Sequence, residues 1–444
     1  MFWLFACTAS VPLVTDTAPP AADLELTVDP DVVTVLHAAW TESGSTDVRV
    51  EYRWEGADWQ VAPAVSPGDA VLLGIPADTD VEARLAADVD GSAWSSDSTT
   101  IITGTLPAEL LLPSIDVWDE ALASPASYAM ISVDHGDYTY QPPFWIEIFD
   151  RTGRIVWYKK VGDDMMTFYP TVARDGTHIW FEGGDVFGMG DIRPYIQRQT
   201  LDGRWSQSVE VREMGQAAGE GPDRSFFYEQ RTGANHGLGR VDADGTTTIV
   251  WDCGAWMRDH SEFPSSCDMN TTNWSESHDS VLASMFESNT VFEIDLATGQ
   301  PVRQMGQLTS GDPYIFSPTD SMFDYQHDVY WTDAGTLLAS THIVGESGVQ
   351  VAAEYEVDDA SKTLTRVWSY VSTDMWAEQI GEAIRLPNGN TTQGYGQDGA
   401  VREITPDGTV VWQASWQKDR QGDRVVGHLS LIDDLYALNA GPVE

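Results

Sequence analysis

One phrase recurs six times between residues 150 and 412: a polar strand, a turn carrying Asp or Gly, and a second strand that mostly ends in Val-Trp. The copies are Asp150-Arg-Thr-Gly153-Arg-Ile-Val-Trp157, Asp202-Gly203-Arg-Trp205, Asp244-Gly245-Thr-Thr-Thr-Ile-Val-Trp251, Asp295-Leu-Ala-Thr-Gly299-Gln-Pro-Val302, Asp358-Asp-Ala-Ser-Lys-Thr-Leu-Thr-Arg-Val-Trp368 and Asp407-Gly408-Thr-Val-Val-Trp412. Successive turns stand roughly fifty residues apart, about the length of one four-stranded blade. Six copies therefore predict an all-β fold, a six-bladed β-propeller over residues 107–444.

A second motif accompanies the hairpin. Aligning Met269-Asn270-Thr-Thr-Asn-Trp274 through Leu-Ala-Ser284 with Gln326-His327-Asp-Val-Tyr-Trp331 through Leu-Ala-Ser340 places Asn270 opposite His327, with His278 in the turn. Gly381-Glu-Ala-Ile-Arg385 occupies the same place in the last repeat. A strand about eight residues ahead of a tight turn is expected to be the innermost of its blade, so these positions should ring the axial channel, where propellers usually carry their function.

Ahead of the repeats, residues 24–106 alternate apolar and polar positions in short runs such as Val48-Arg-Val-Glu-Tyr-Arg-Trp54 and Val81-Glu-Ala-Arg-Leu-Ala-Ala87. Such runs, separated by Gly, Asp, Ser and Pro, predict a seven-strand β-sandwich. Leu73-Gly-Ile-Pro-Ala-Asp-Thr79-Asp-Val81 resembles the corner of fibronectin type III domains, with Val81 where that family usually has Tyr. His37 reads as a strand histidine and the module as a spacer or adhesive unit.

Residues 1–23 read as a signal remnant and tether. Leu4-Phe5-Ala6-Cys7 resembles the lipobox of bacterial lipoproteins, which implies lipidation at Cys7, and Thr8 to Asp23 has the small, Pro-bearing composition of an extended linker. An extracytoplasmic location follows, lipid-anchored to the envelope or secreted, with membrane contact only through that anchor. In such a compartment Cys253 and Cys267 read as a disulfide, free thiols being the other reading; a metal site would need more ligands at short spacing. The formal charge is −45, from 69 Asp+Glu against 24 Lys+Arg, and no basic run offsets it. Nucleic acid is thereby excluded as a partner.

Over about residues 140–420 the chain resembles the bacterial arylsulfotransferase family (aryl-sulfate sulfotransferases). The carriers are Asn289-Thr-Val-Phe-Glu-Ile-Asp-Leu-Ala-Thr-Gly299, Gln326-His327-Asp-Val, Glu354-Tyr-Glu-Val-Asp358, Leu386-Pro-Asn-Gly-Asn390 and Arg402-Glu-Ile-Thr-Pro-Asp-Gly-Thr-Val-Val-Trp412. The resemblance implies sulfuryl transfer from a phenolic sulfate ester to a phenol through a covalently sulfated histidine, with no cofactor and no metal. His327 is then the catalytic nucleophile, with Asn270, His342 and Arg385 on the substrate. A neutral imidazole must attack sulfur while nearby donors hold its negative oxygens. The family's other histidine falls at Asp268 and its arginine at Val351. A carboxylate near a bound anion costs about 1 kcal/mol per close pair even in water. The competing expectation is a non-catalytic surface propeller that binds carbohydrate, protein or a divalent cation, the last through Asp268, Asp328 and His327; where no cation binds, His327 reads as a core histidine bonded to a backbone carbonyl. His236, His260 and His278 read as loop residues, and His428 lies in a C-terminal strand without a motif.

Overall fold

The computed structural model describes residues 23–41, 48–89, 92–184, 193–232, 235–263, 267–416 and 424–442. Cys7 and most of the tether lie outside them. The chain divides into two compact units, Met1–Thr105 and Leu106–Glu444. No helix among the described residues is long and apolar enough to cross a membrane.

Among the described residues the first unit has two antiparallel sheets. One orders Leu24–Val28, Leu36–Trp40, Asp69–Leu72 and Ala64–Ser66; the other orders Gln60–Ala62, Arg49–Trp54, Asp80–Val89 and Ser92–Ser95, with Thr99–Ile102 also paired to Asp80–Val89. Alternation decides the faces: Val50, Tyr52 and Trp54 are buried while their neighbours in the strand are half-buried. Among the described residues the unit has nine strands in place of the expected seven; Ala64–Ser66 and Ser92–Ser95 are short edge partners. His37 is a strand residue, its Nε2 2.8 Å from Asp29 Oδ2.

The second unit is a β-propeller. Among the described residues it has six sheets, numbered I to VI, of four or five strands. Their innermost strands are Ser430–Ile432, Thr171–Val172, Met214–Glu220, Met269–Ser275, Val329–Trp331 and Gly381–Arg385. All six recurring turns join the third strand of a sheet to its fourth. A left-handed residue closes each of five, Gly at 153, 203, 245, 299 and 408, and Lys362 takes that conformation in the sixth.

The Trp that ends many of these hairpins reaches the next sheet. Trp157 Nε1 donates to Leu201 O at 2.7 Å, Trp368 Nε1 to Pro406 O at 2.9 Å and Trp412 Nε1 to Arg151 O at 3.2 Å, while the Trp251 ring packs 5.1 Å from that of Phe292. The repeated residue is thus a wedge between sheets, which explains why it recurs with the turn.

The two ends of this unit close the ring. Ser430–Ile432 supplies the inner strand of sheet I by pairing with Tyr128–Asp134, and Ser114–Trp118 adds a fifth, outermost strand to sheet VI by pairing with Val410–Ser415. Cys253 and Cys267 form a disulfide across the connection from sheet III to sheet IV. It closes a short loop, so the Cys253→Ser/Cys267→Ser double variant is expected to lose about 3 kcal/mol in denaturant unfolding. A loss below about 1 kcal/mol would show that the unfolded chain gains little from opening that loop.

Candidate functional site

The inner strands surround a hollow. A cavity of about 440 Å³ lies there, lined by residues from all six sheets. Its aromatic walls are Tyr169, Trp180, Trp274, Tyr330 and Trp331, and its carboxyls are Glu220, Asp328, Asp333 and Glu382. Arg174 and His428 are its only basic lining residues among the described ones. Arg174 sits with its guanidinium 4.4 Å from the Trp274 ring and 3.5 Å from Glu276, and its backbone N–H donates to Glu220 at 2.8 Å.

Two carboxyls are held deep in this cavity by neighbouring sheets. Asp328, at the head of the sheet V inner strand, accepts 2.7 Å from Asn273 Nδ2 of sheet IV. Burial raises its pKa to about 7, with Asn273 pulling the other way. Glu382 of sheet VI accepts from the Leu429 N–H of the closing segment through Oε1. Its Oε2 makes no hydrogen bond, the nearest ring nitrogen being His428 Nδ1 at 3.5 Å. Burial, and then the charge of Asp328, push the Glu382 pKa well above the usual carboxylate range. Burial acts oppositely on the imidazoles, lowering His327 and His428 to about 3. At neutral pH both are uncharged.

Sequence-predicted residues divide accordingly. His327 lies just ahead of the sheet V inner strand, buried, with Nδ1 3.1 Å from Tyr325 O; this is the backbone-bonded histidine of the competing expectation. That bond also leaves Nε2 as the unprotonated nitrogen. Asn270 is beside it, its Nδ2 donating to Gln326 O at 2.6 Å. His342 is buried behind His327, with Nε2 unpartnered and its ring stacked with Tyr325 at 6.0 Å. Arg385 does not join them. Its guanidinium binds Glu354 and Gly389 O and stacks 4.7 Å from Trp368, between sheets V and VI.

The other candidates are also placed. His260 stacks on Trp256 at 3.9 Å and His278 on Trp331 at 4.3 Å. Asp268 does not meet Asp328. It lies 3.1 Å from His236, and with Glu229 these form the one carboxylate and imidazole group close enough to share a cation among the described residues. Arg231 Nε already donates to Glu229 at 2.9 Å and supplies a positive charge there.

Sequence reasoning missed His428 and Glu382 as site residues. His428 reaches the axis because the C-terminal segment closes sheet I: its N–H donates to Phe168 O, and its ring meets Tyr169 edge-on at 4.5 Å. Glu382 could have been found from its inner-strand position, level with the Asp328 neighbourhood in the repeat alignment.

No protein-family model matches the chain, and no curated protein does. Solved structures similar to the chain include a protein of unknown function from Bacteroides caccae, at 17% identity and TM-score 0.45, covering 68% of this chain and 98% of that one. A streptogramin B lyase aligns at 13% identity and TM-score 0.40, over 70% of this chain and 89% of its own. A catalytically inactive virginiamycin B lyase from Staphylococcus aureus, with quinupristin, aligns at 10% identity and TM-score 0.41, over 72% of this chain and 99% of its own.

Proposed function

We propose that this is an exported protein, anchored at Cys7, in which a fibronectin type III-like sandwich precedes a six-bladed propeller whose axial cavity binds a saccharide. The observation that carries the reading is the lining of that cavity. Aromatic faces suit the C–H faces of a sugar ring, and carboxyls suit its hydroxyls. Among the lining residues, buried polar atoms still lack partners of both kinds: Trp180 Nε1 and Trp274 Nε1 as donors, Glu382 Oε2 as an oxygen. Each such group left unpaired costs about 1–3 kcal/mol, which a hydroxylated ligand can recover. The disulfide and the acidic surface suit an extracytoplasmic setting.

Calorimetric titration with a panel of neutral and amino disaccharides tests this. Wild type is expected to bind at least one, and Trp274→Ala to bind it about tenfold more weakly, the worth of one aromatic contact of about 1.4 kcal/mol. Absence of binding across the panel, or full binding by Trp274→Ala, would overturn it.

One observation favours a second reading, sulfuryl transfer from a phenolic sulfate ester to a phenol. His327 is neutral and its Nδ1 is held by Tyr325 O, so Nε2 is the nucleophilic nitrogen that the reaction requires. The carboxyl-lined cavity opposes it, since among the described residues no lining cation is left over to hold sulfate oxygens. Transfer from 4-nitrophenyl sulfate to phenol by wild type, abolished in His327→Ala, would establish this reading; no transfer by wild type removes it.

A further inference from the structure

We infer that the saccharide is an amino sugar, gripped through its protonated amine by Asp328 and Glu382. The inference rests on the saccharide reading and names the chemical group that the cavity floor selects.

Two buried carboxyls from adjacent sheets share the cavity with no basic side chain bridging them among the described residues. Asp328 is 5% exposed and Glu382 1% exposed, and both line the cavity. Asp328 has one side-chain partner, the uncharged amide of Asn273, while Glu382 Oε2 has no hydrogen bond. The titratable groups facing the pair are Tyr169, Tyr330, His428 and, behind the last, His327. Burial keeps the two phenols protonated and the two imidazoles uncharged, so none of these supplies positive charge at neutral pH. Arg174, the one lining arginine, is engaged by Glu276 and Trp274.

An ammonium group meets what this floor lacks. It has three N–H donors and no acceptor, which suits carboxyls on two sides, and aromatic faces attract it further. A divalent cation fits less well: it wants three or more close ligands, and Asp328 and Glu382 belong to no such group among the described residues. A sulfate or carboxylate sugar meets a lining of four carboxyls whose one arginine is already engaged.

A cation bound here favours the ionised form of Asp328. Before the sugar arrives, the folded site holds Asp328 protonated below about pH 7. An ammonium beside it favours the carboxylate, so at pH 6 the complex should release roughly one proton.

The test titrates the glucosamine disaccharide and its N-acetylated counterpart into the full chain at pH 6, in two buffers of different ionisation enthalpy. The amine form is expected to bind at least about tenfold tighter and to release roughly one proton. Asp328→Asn and Glu382→Gln are each expected to lose that preference, and Asp328→Asn the proton release as well. Equal or tighter binding of the acetylated form, or no proton release with the amine, overturns the inference and leaves the saccharide reading standing. If neither sugar binds wild type while other neutral disaccharides do, the amino-sugar inference alone fails; if no saccharide binds, both fail.

Discussion

Arg151→Ala is expected to destabilise the propeller unit by about 3–5 kcal/mol, because it leaves a buried carboxylate without its cation. Arg151 belongs to a turn of sheet I, and its Nη2 donates to Glu403 of sheet VI at 2.6 Å, with the guanidinium 4.2 Å from the Trp412 ring. Glu403 is fully buried and also accepts from Ser124 N–H and from Asn390 Nδ2 at 2.8 Å. The pair thus crosses the seam where the first and last sheets meet. Replacing both partners by uncharged groups, Arg151→Met with Glu403→Gln, is expected to recover most of the loss, since the lone buried charge then disappears. Urea unfolding of the two variants decides it. A loss below about 1 kcal/mol for Arg151→Ala would show that the ring closes without this pair.

Asp328→Asn is expected to unfold with more difficulty than wild type at pH 8 and without that advantage at pH 4. The raised folded pKa of Asp328, about 7 against 3.8 for the ordinary group, means that the folded chain keeps a proton which the unfolded chain has lost between those values. Stability from that proton is present below about pH 4 and is lost as pH rises through 7. The amide of the variant would be uncharged at every pH and its oxygen can still accept from Asn273. The advantage of the variant at pH 8 over pH 4 should therefore be on the order of 3–4 kcal/mol. His327 and His428 titrate in the opposite sense, losing stability as pH falls from about 6.5 toward 3, but both proteins share them and they cancel in the difference. A pH-independent difference would mean that Asp328 ionises freely and is no strained functional group. A gain in stability on removing a carboxyl is the mark of a group kept for binding rather than for folding.

What was legible in the sequence was local. An Asp-Gly turn depends on its own few residues, so all six turns could be read, and each joins the third and fourth strands of a sheet. The buried and half-buried alternation of Arg49–Trp54 is equally local. The placements that failed are those made by distant chain. Arg385 looks available to the axis until Glu354, 31 residues away and in another sheet, claims its guanidinium. Asp268 pairs with His236 rather than Asp328 because the disulfide-bridged connection from sheet III delivers it there. His428 has no motif at all, since its position follows from closure with a strand about 300 residues earlier. The sign of charge at the axis was the hardest to read. An overall charge of −45 says nothing about one cavity, and only the assembled ring sets Asp328 and Glu382 from neighbouring sheets into it with Arg174 already engaged.

That sign is tested most directly by a crystal structure of the full chain grown with both the glucosamine disaccharide and 4-nitrophenyl sulfate. The expected result is the sugar in the axial cavity, its amine within hydrogen-bond reach of Asp328 and Glu382 and a ring face on an aromatic wall. A sulfate group bound in the axis against His327, with the sugar absent from it, would contradict the saccharide reading and restore sulfuryl transfer.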